Sequence, residues 1–165
     1  MPGRQRDGQI ERTGEGEIDV RAVLGCTCMH LRRTTRRVTQ LYDQRLAPAG
    51  ITAGQFGLLA RLYGAKLRGE DALSIGALAD QHGMDPTTLN RNLKPLLSAG
   101  LVHDGHDPTD RRVRTVSLTD AGRQRLARAM PLWREAQQRV EAALGPEATL
   151  ALNGLLDLSA TKLTT

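Results

Sequence analysis

The sequence predicts a mainly α protein carrying one small β-hairpin, and three patterns predict it. Apolar residues recur every three or four positions through most of the chain, the period of a buried helix face. One short segment, 113–118, alternates instead, with Val116 and Leu118 on one side, the period of a strand. Two short apolar-periodic runs, 75–82 and 86–99, meet at the tight turn His82-Gly83-Met84-Asp85.

Bulk properties narrow the classes. With 165 residues the chain builds one domain, or one domain with a helical extension. Hydrophobic residues at 39% and charged residues at 25% are ordinary for a soluble globular protein. Aromatic residues are only 2%, which argues against the stacking platforms that hold single-stranded nucleic acid. A net charge of +5 and a pI near 9.9 point to a polyanionic partner without choosing among DNA, RNA and a membrane surface. No apolar run is long enough to span a bilayer, and the N-terminal stretch lacks the apolar core of a signal peptide, so a cytoplasmic protein with no membrane partner is expected. Cys26 and Cys28 form a C-x-C; on a helix, residues two apart diverge, so a disulfide framework is not expected.

The elements follow in order. Residues 1–17 are rich in Gly, Arg and Glu, lack periodicity and read as a disordered tail. From Asp19 the positions Leu24, Cys28, Leu31, Thr35, Val38 and Tyr42 mark one face of a long helix ending near Leu46, roughly 40 Å at 1.5 Å per residue. Its opposite face carries Arg32, Arg33, Arg36 and Arg37, solvated or turned to an anion. Thr52 caps a second helix over 53–66, with Phe56, Leu59 and Leu62 or Tyr63 facing in. Residues 75–82 form a short helix burying Ile75, Leu78 and Ala79, and Gly83 stops it. Asp85 caps the next helix, Pro86 suits its first position, and Gly100 ends it. Pro95, inside that helix, removes the hydrogen bond to the Arg91 carbonyl and implies a slight bend on the exposed side. Two short strands follow, 101–104 and 113–118. Thr119 caps a long helix with a stripe of Leu126, Met130, Trp133, Gln137, Val140 and Leu144, kinked at Pro131. Gly145-Pro146 ends it, and a final amphipathic helix completes the chain.

A tight helix pair followed by a two-stranded hairpin is a winged helix-turn-helix pattern, whose second helix lies in the major groove of DNA. In that second helix Leu89, Leu93, Leu96 and Leu97 share a buried arc, while Thr87, Thr88, Arg91 and Lys94 lie opposite and Asn90 flanks them. Hydroxyls at a helix N-terminus suit phosphates, Arg suits guanine and Asn suits adenine. The hairpin tip adds Arg111, Arg112 and Arg114, and an arginine there can enter the negative minor groove. Phosphates explain why like charges cluster, with Asp110 orienting Arg112 when DNA is absent. The bland alternative makes both surfaces merely solvated faces.

The chain resembles the MarR family of bacterial transcription regulators over about residues 20–160. The resemblance rests on L-A-P-A-G-I-T-A-G-Q-F-G-L-L at 46–59, S-I-G-A-L-A-D at 74–80, T-T-L-N-R-N-L-K-P-L at 87–96, A-G-L-V at 99–102, and D-R-R-V-R-T-V-S-L-T-D-A-G at 110–122. It implies a homodimer on a pseudo-palindromic operator, with dimerisation residues 18–50, a winged DNA-binding domain over 51–120 and C-terminal dimerisation helices over 121–165. It also implies that Asp110 and Arg112 are the D-x-R of the wing, with Arg112 reaching the minor groove, and that Thr87, Thr88, Asn90 and Arg91 are recognition positions. The apolar stripes agree, being too long for one copy to cover; two-fold symmetry puts the recognition helices about 34 Å apart.

The resemblance further implies release of DNA by a small molecule, often an anionic aromatic. It would sit in a crevice lined by the helices at 19–46, 53–66 and 120–144. Nothing in the sequence identifies the effector or its pocket residues. Residues 28–42 resemble the organic-hydroperoxide-sensing branch, in which a cysteine at the position of Cys28 is oxidised and a tyrosine at the spacing of Tyr42 bonds it. Ala53 and Arg32 replace two aromatic residues of that branch, and Cys28, in line with Leu24 and Leu31, also reads as a small hydrophobe. No metal or cofactor is expected: Cys26 with His30 gives too few ligands, and His103, His106, Asp104 and Asp107 read as hairpin residues. A protein-docking winged helix would need apolar anchors on the exposed recognition face, which Thr87, Thr88, Arg91 and Lys94 do not offer. No nucleophile–base pair or phosphate-cradling loop marks an enzyme.

Overall fold

The structure, a computed structural model, describes residues 20–163; the tail at 1–17 lies outside the described residues. The elements are α1 (Val20–Leu24), α2 (Thr27–Leu46), a 3-10 turn (Ala47–Ala49), α3 (Ala53–Leu67), β1 (Leu73–Ser74), α4 (Ile75–His82), α5 (Pro86–Ser98), β2 (Val102–His106), β3 (Arg114–Leu118), α6 (Asp120–Leu144) and α7 (Pro146–Lys162). The chain divides into two compact units, Met1–Arg36 and Arg37–Thr165.

In the first unit the helix expected to run unbroken from Asp19 is interrupted at Gly25 and Cys26. Glycine carries the largest backbone entropy loss in a helix. The Cys26 N–H turns back to the Val23 carbonyl at 3.1 Å, and the Cys26 carbonyl accepts the His30 N–H at 3.2 Å. Cys26 therefore stands just before the first turn of α2 rather than inside a helix. Val20, Val23, Leu24, Met29 and Leu31 are exposed on the single chain, as are Cys26 and Cys28.

The second unit holds the core. Leu46, Leu58, Leu59, Leu78, Leu89 and Val116 are fully buried, and Ile51, Phe56, Leu62, Leu93, Leu96, Leu118 and Leu126 close around them. Each leucine so buried contributes roughly 1.5–3 kcal/mol relative to exposure. The entry to α3 is held twice. Thr52 and Gln55 form a reciprocal capping box, and the Ala53 N–H donates to Asp43 Oδ1 at 2.7 Å. Gly50, at φ +68, makes the left-handed turn that brings the chain into this cap.

The sheet has three strands in the order β1-β3-β2, all antiparallel, where the sequence predicts two. Leu73 and Ser74 pair with Val116 and Thr115, so the two residues just before α4 form the third strand. Two residues are too short to display alternation. The hairpin strands also sit further along than expected, at 102–106 and 114–118.

Thr119 ties three elements together. Its N–H donates to the Leu101 carbonyl at 3.2 Å, its hydroxyl donates to the Gly100 carbonyl at 2.7 Å, and its Oγ1 accepts the Gly122 N–H at 3.0 Å. Gly122 is required by this closeness, because a Cβ there would collide with the Leu101 carbonyl. α6 then runs 25 residues through Pro131, whose ring is exposed.

Candidate nucleic-acid interface

α4 and α5 meet at a turn fixed from both ends. Ser74 caps α4 by accepting the Ala77 N–H at 3.1 Å, and Gly83 at φ +59 closes it. Asp85 opens α5, and Leu89, Leu93 and Leu96 bury one face. The opposite face leaves Thr87, Asn90, Arg91 and Lys94 exposed and Thr88 half-buried, with no large apolar side chain among them. Among the described residues neither Arg91 nor Lys94 has an ion-pair partner. Pro95 is exposed, and α5 continues through it.

The start of α5 differs from the phosphate-ready terminus that the sequence implies. The Thr87 and Thr88 N–H groups donate to Asp85 Oδ1 at 3.0 and 2.9 Å, and the Thr88 hydroxyl donates to Asp85 Oδ2 at 2.6 Å. The Thr88 hydroxyl and these N–H groups hold the Asp85 carboxyl below the usual carboxylate range. Asn90 Nδ2 donates to the Pro86 carbonyl at 2.9 Å.

The wing turn is built by its aspartates. Asp107 Oδ1 accepts the Thr109 hydroxyl, the Thr109 N–H at 2.8 Å and the Asp110 N–H at 3.2 Å, and these bonds lower its pKa. Asp110 Oδ1 accepts the backbone N–H of Arg112 at 2.9 Å. The acid therefore shapes the turn under Arg112 through its main chain. The arginine cluster also divides. Arg114 lies in β3 and pairs with Asp104 Oδ2 at 2.7 Å, whereas Arg111 and Arg112 are exposed and unpaired among the described residues. The pairing is diagonal across the ladder, since Asp104 faces Val116 and His106 faces Arg114. His103 and His106 fall on opposite faces of β2, being three residues apart on a strand.

A second feature lies at the turn before α3. A crevice of about 280 Å³ is lined by Pro48, Ala49, Gly50, Arg125, Arg128 and Leu132. Arg125 Nη1 donates to the Ala49 carbonyl at 2.9 Å, and Arg128 has no ion-pair partner among the described residues. Nearby in sequence on α6, Trp133 stacks on Phe56 with centroids 5.8 Å apart and planes 9° from parallel. The Tyr42 hydroxyl donates to Gln137 Oε1, and Gln137 Nε2 donates to Glu141 Oε1 at 2.8 Å. Burial and the Glu141 charge push the Tyr42 hydroxyl pKa up. Sequence reasoning missed Arg125 and Arg128, which carry no local motif; only their spacing of three on one helix face marks them.

His82, at the end of α4, packs its ring on Gly57 with Nε2 buried. Desolvation, then the Arg61 charge, lowers its pKa below 6.5.

No family model matches the sequence. An uncharacterized HTH-type transcriptional regulator of Bacillus subtilis strain 168, YdgJ, is 36% identical over 80 residues, 48% of this chain and 46% of that protein. The match thus spans about half the length of that relative. The Mycobacterium tuberculosis transcriptional regulator MosR, solved in complex with DNA, is 33% identical over 84% of this chain and 99% of that chain, with a TM-score of 0.69. A mutant MarR from E. coli complexed with operator DNA shares the fold at a TM-score of 0.72, with 23% identity over 85% of this chain and 97% of that chain. No helix among the described residues is long and apolar enough to cross a membrane.

Proposed function

This chain belongs to the MarR family of winged helix-turn-helix transcription regulators, and on that premise we propose that two copies bind a pseudo-palindromic DNA operator as a repressor that a small anionic effector releases. The observation that carries the reading is α5 itself. Three buried leucines pack one side against the core, while on the other Arg91 and Lys94 have no ion-pair partner among the described residues. Unpaired cations on a fixed helix match the donor requirement of guanine edges and phosphates in a major groove. Thr87, Thr88 and Asn90 complete the base-reading surface. Arg111 and Arg112 reach the flanking minor groove from a turn already shaped by Asp107 and Asp110. Arg114 contributes once its pairing with Asp104 is exchanged for phosphate.

The exposed Leu150, Leu155, Leu156, Leu158 and Leu163 of the C-terminal segment, and Val20, Val23, Leu24 and Leu31 of the N-terminal helices, support dimerisation through residues 18–50 and 121–165. The Arg125–Arg128 crevice supports an anionic effector, since one guanidinium is anchored and the other has no ion-pair partner among the described residues. Anisotropy of labelled duplexes, selected from a random pool on the purified protein, tests the reading. Affinity should fall by about 10³-fold or more between 50 and 200 mM salt if six or more phosphates are neutralised. A salt-independent affinity, or none, would refute it.

A second reading assigns oxidant sensing to Cys28. Its support is that the Cys28 and Cys26 thiols are both free and exposed on the single chain. Tyr42, its candidate partner, already donates to Gln137. Operator affinity should then respond to hydroperoxide in the wild type and not in Cys28→Ser; loss of affinity in both removes this reading.

A further inference from the structure

The outward edge of α5 is acceptor-rich at its start, and one carboxylate causes it. Thr88 Oγ1 owns a single hydrogen, and that hydrogen is committed to Asp85 Oδ2 at 2.6 Å. What Thr88 still offers its surroundings is lone pairs. Asp85 itself is exposed and, ionised, can only accept. Further along, the pattern reverses: Arg91 and Lys94 are exposed and can only donate. Asp85 and Thr88 therefore present acceptors, the exposed Thr87 hydroxyl beside them can do either, and Arg91 and Lys94 present donors.

Base edges in the major groove carry the matching alphabet. Adenine N6 and cytosine N4 are donors, whereas guanine O6 and N7 and thymine O4 are acceptors. A phosphate is an acceptor and negatively charged, so the Asp85 carboxylate repels it. We propose that Asp85 is a specificity-determining residue: by locking Thr88 as an acceptor, it selects a base with an exocyclic amino group, adenine or cytosine, opposite the first turn of α5 and excludes a keto-bearing one. Arg91 and Lys94 then take the guanine or phosphate side of the same half-site. The inference rests on the DNA-binding reading above and deepens it.

Two substitutions separate this role from simple capping. Asp85→Asn keeps an oxygen for the Thr87 and Thr88 N–H groups, and Asn caps helices as well as Asp. Its second terminal atom is a donor, however, so the Thr88 hydroxyl hydrogen is released outward. Thr88→Val removes the hydroxyl and preserves the shape. Duplexes selected from a randomised pool by the wild type should show one position per half-site with a preference of about tenfold for an amino-bearing base, the size of one hydrogen bond to a charge-polarised partner. Both variants should reduce that preference to under about threefold at the same position, and the double variant should reduce it no further. Asp85→Asn should also bind unselected duplex several-fold more tightly at low salt, as a repelling charge is gone. If folded Asp85→Asn and Thr88→Val proteins keep the wild-type preference, the assignment of Asp85 is overturned while the DNA-binding reading stands. If the wild type retains no duplex even at low salt, both are overturned.

Discussion

Arg112 combines a fixed backbone with a free side chain: Asp110 holds its N–H, and its guanidinium is exposed. Removing the side chain leaves the turn intact, because the hydrogen bond is to the main chain. Arg112→Ala should therefore weaken operator binding by about 1–3 kcal/mol if the arginine reads bases, or evenly across sequences if it touches phosphate, with an unchanged melting temperature. Undiminished affinity would remove Arg112 from the interface. His82 gives a pH prediction. Its folded-state pKa lies below the ordinary 6.5, so the unfolded chain binds more protons between the two values. Stability is thus unaffected well above 6.5, falls as pH drops through 6.5, and levels off below the lowered folded value. Thermal melts from pH 7.5 to 5 should show a steeper loss for the wild type than for His82→Gln; parallel curves would place the proton uptake elsewhere. Such a residue is invisible in the sequence, because the Gly57 notch and the Arg61 charge that set its pKa lie on another helix.

Helix boundaries were legible because their determinants are local. Thr52, Asp85 and Thr119 each sit two or three residues before the N–H they accept, and such a spacing can be read directly. β1 was illegible because Leu73 and Ser74 become a strand only through pairing with residues more than forty positions away. The division of the arginines was hidden for the same reason: Asp104 meets Arg114 only once the register of β2 on β3 is set. The break at Gly25 overrode a period that continues across it, since Leu24, Cys28 and Leu31 keep helical spacing on both sides. Among the elements, α6 is the most sensitive at its first turn. Gly122→Ala drives a methyl group into the Leu101 carbonyl and the Leu118 side chain, and should cost on the order of 1–3 kcal/mol in denaturant melts, as overpacking does. Ala121→Gly, one residue earlier at an exposed position, should cost no more than about 1 kcal/mol.

At the scale of the molecule, the exposed apolar residues are concentrated in the helices at the two ends of the described chain. The leucines of α7 are largely outside the core, with Leu150 at 76% and Leu155 at 62% exposure, values that a lone chain in water does not favour. A Leu155→Glu, Leu158→Glu protein should sediment as a monomer at micromolar concentration and bind a two-half-site duplex at least tenfold more weakly, while its far-UV spectrum stays helical. If it remains dimeric, α7 is not the interface. The Thr119 knot has a mechanical meaning. The turn that follows α5, the end of β3 and the first turn of α6 are joined through one threonine and packed tightly at one glycine. Arg125, on the next turn of α6, grips the Ala49 carbonyl. Under the proposed function, an anion held by that guanidinium would act one turn of α6 away from the threonine that ties the end of α5, so a shift of α6 would be felt at α5.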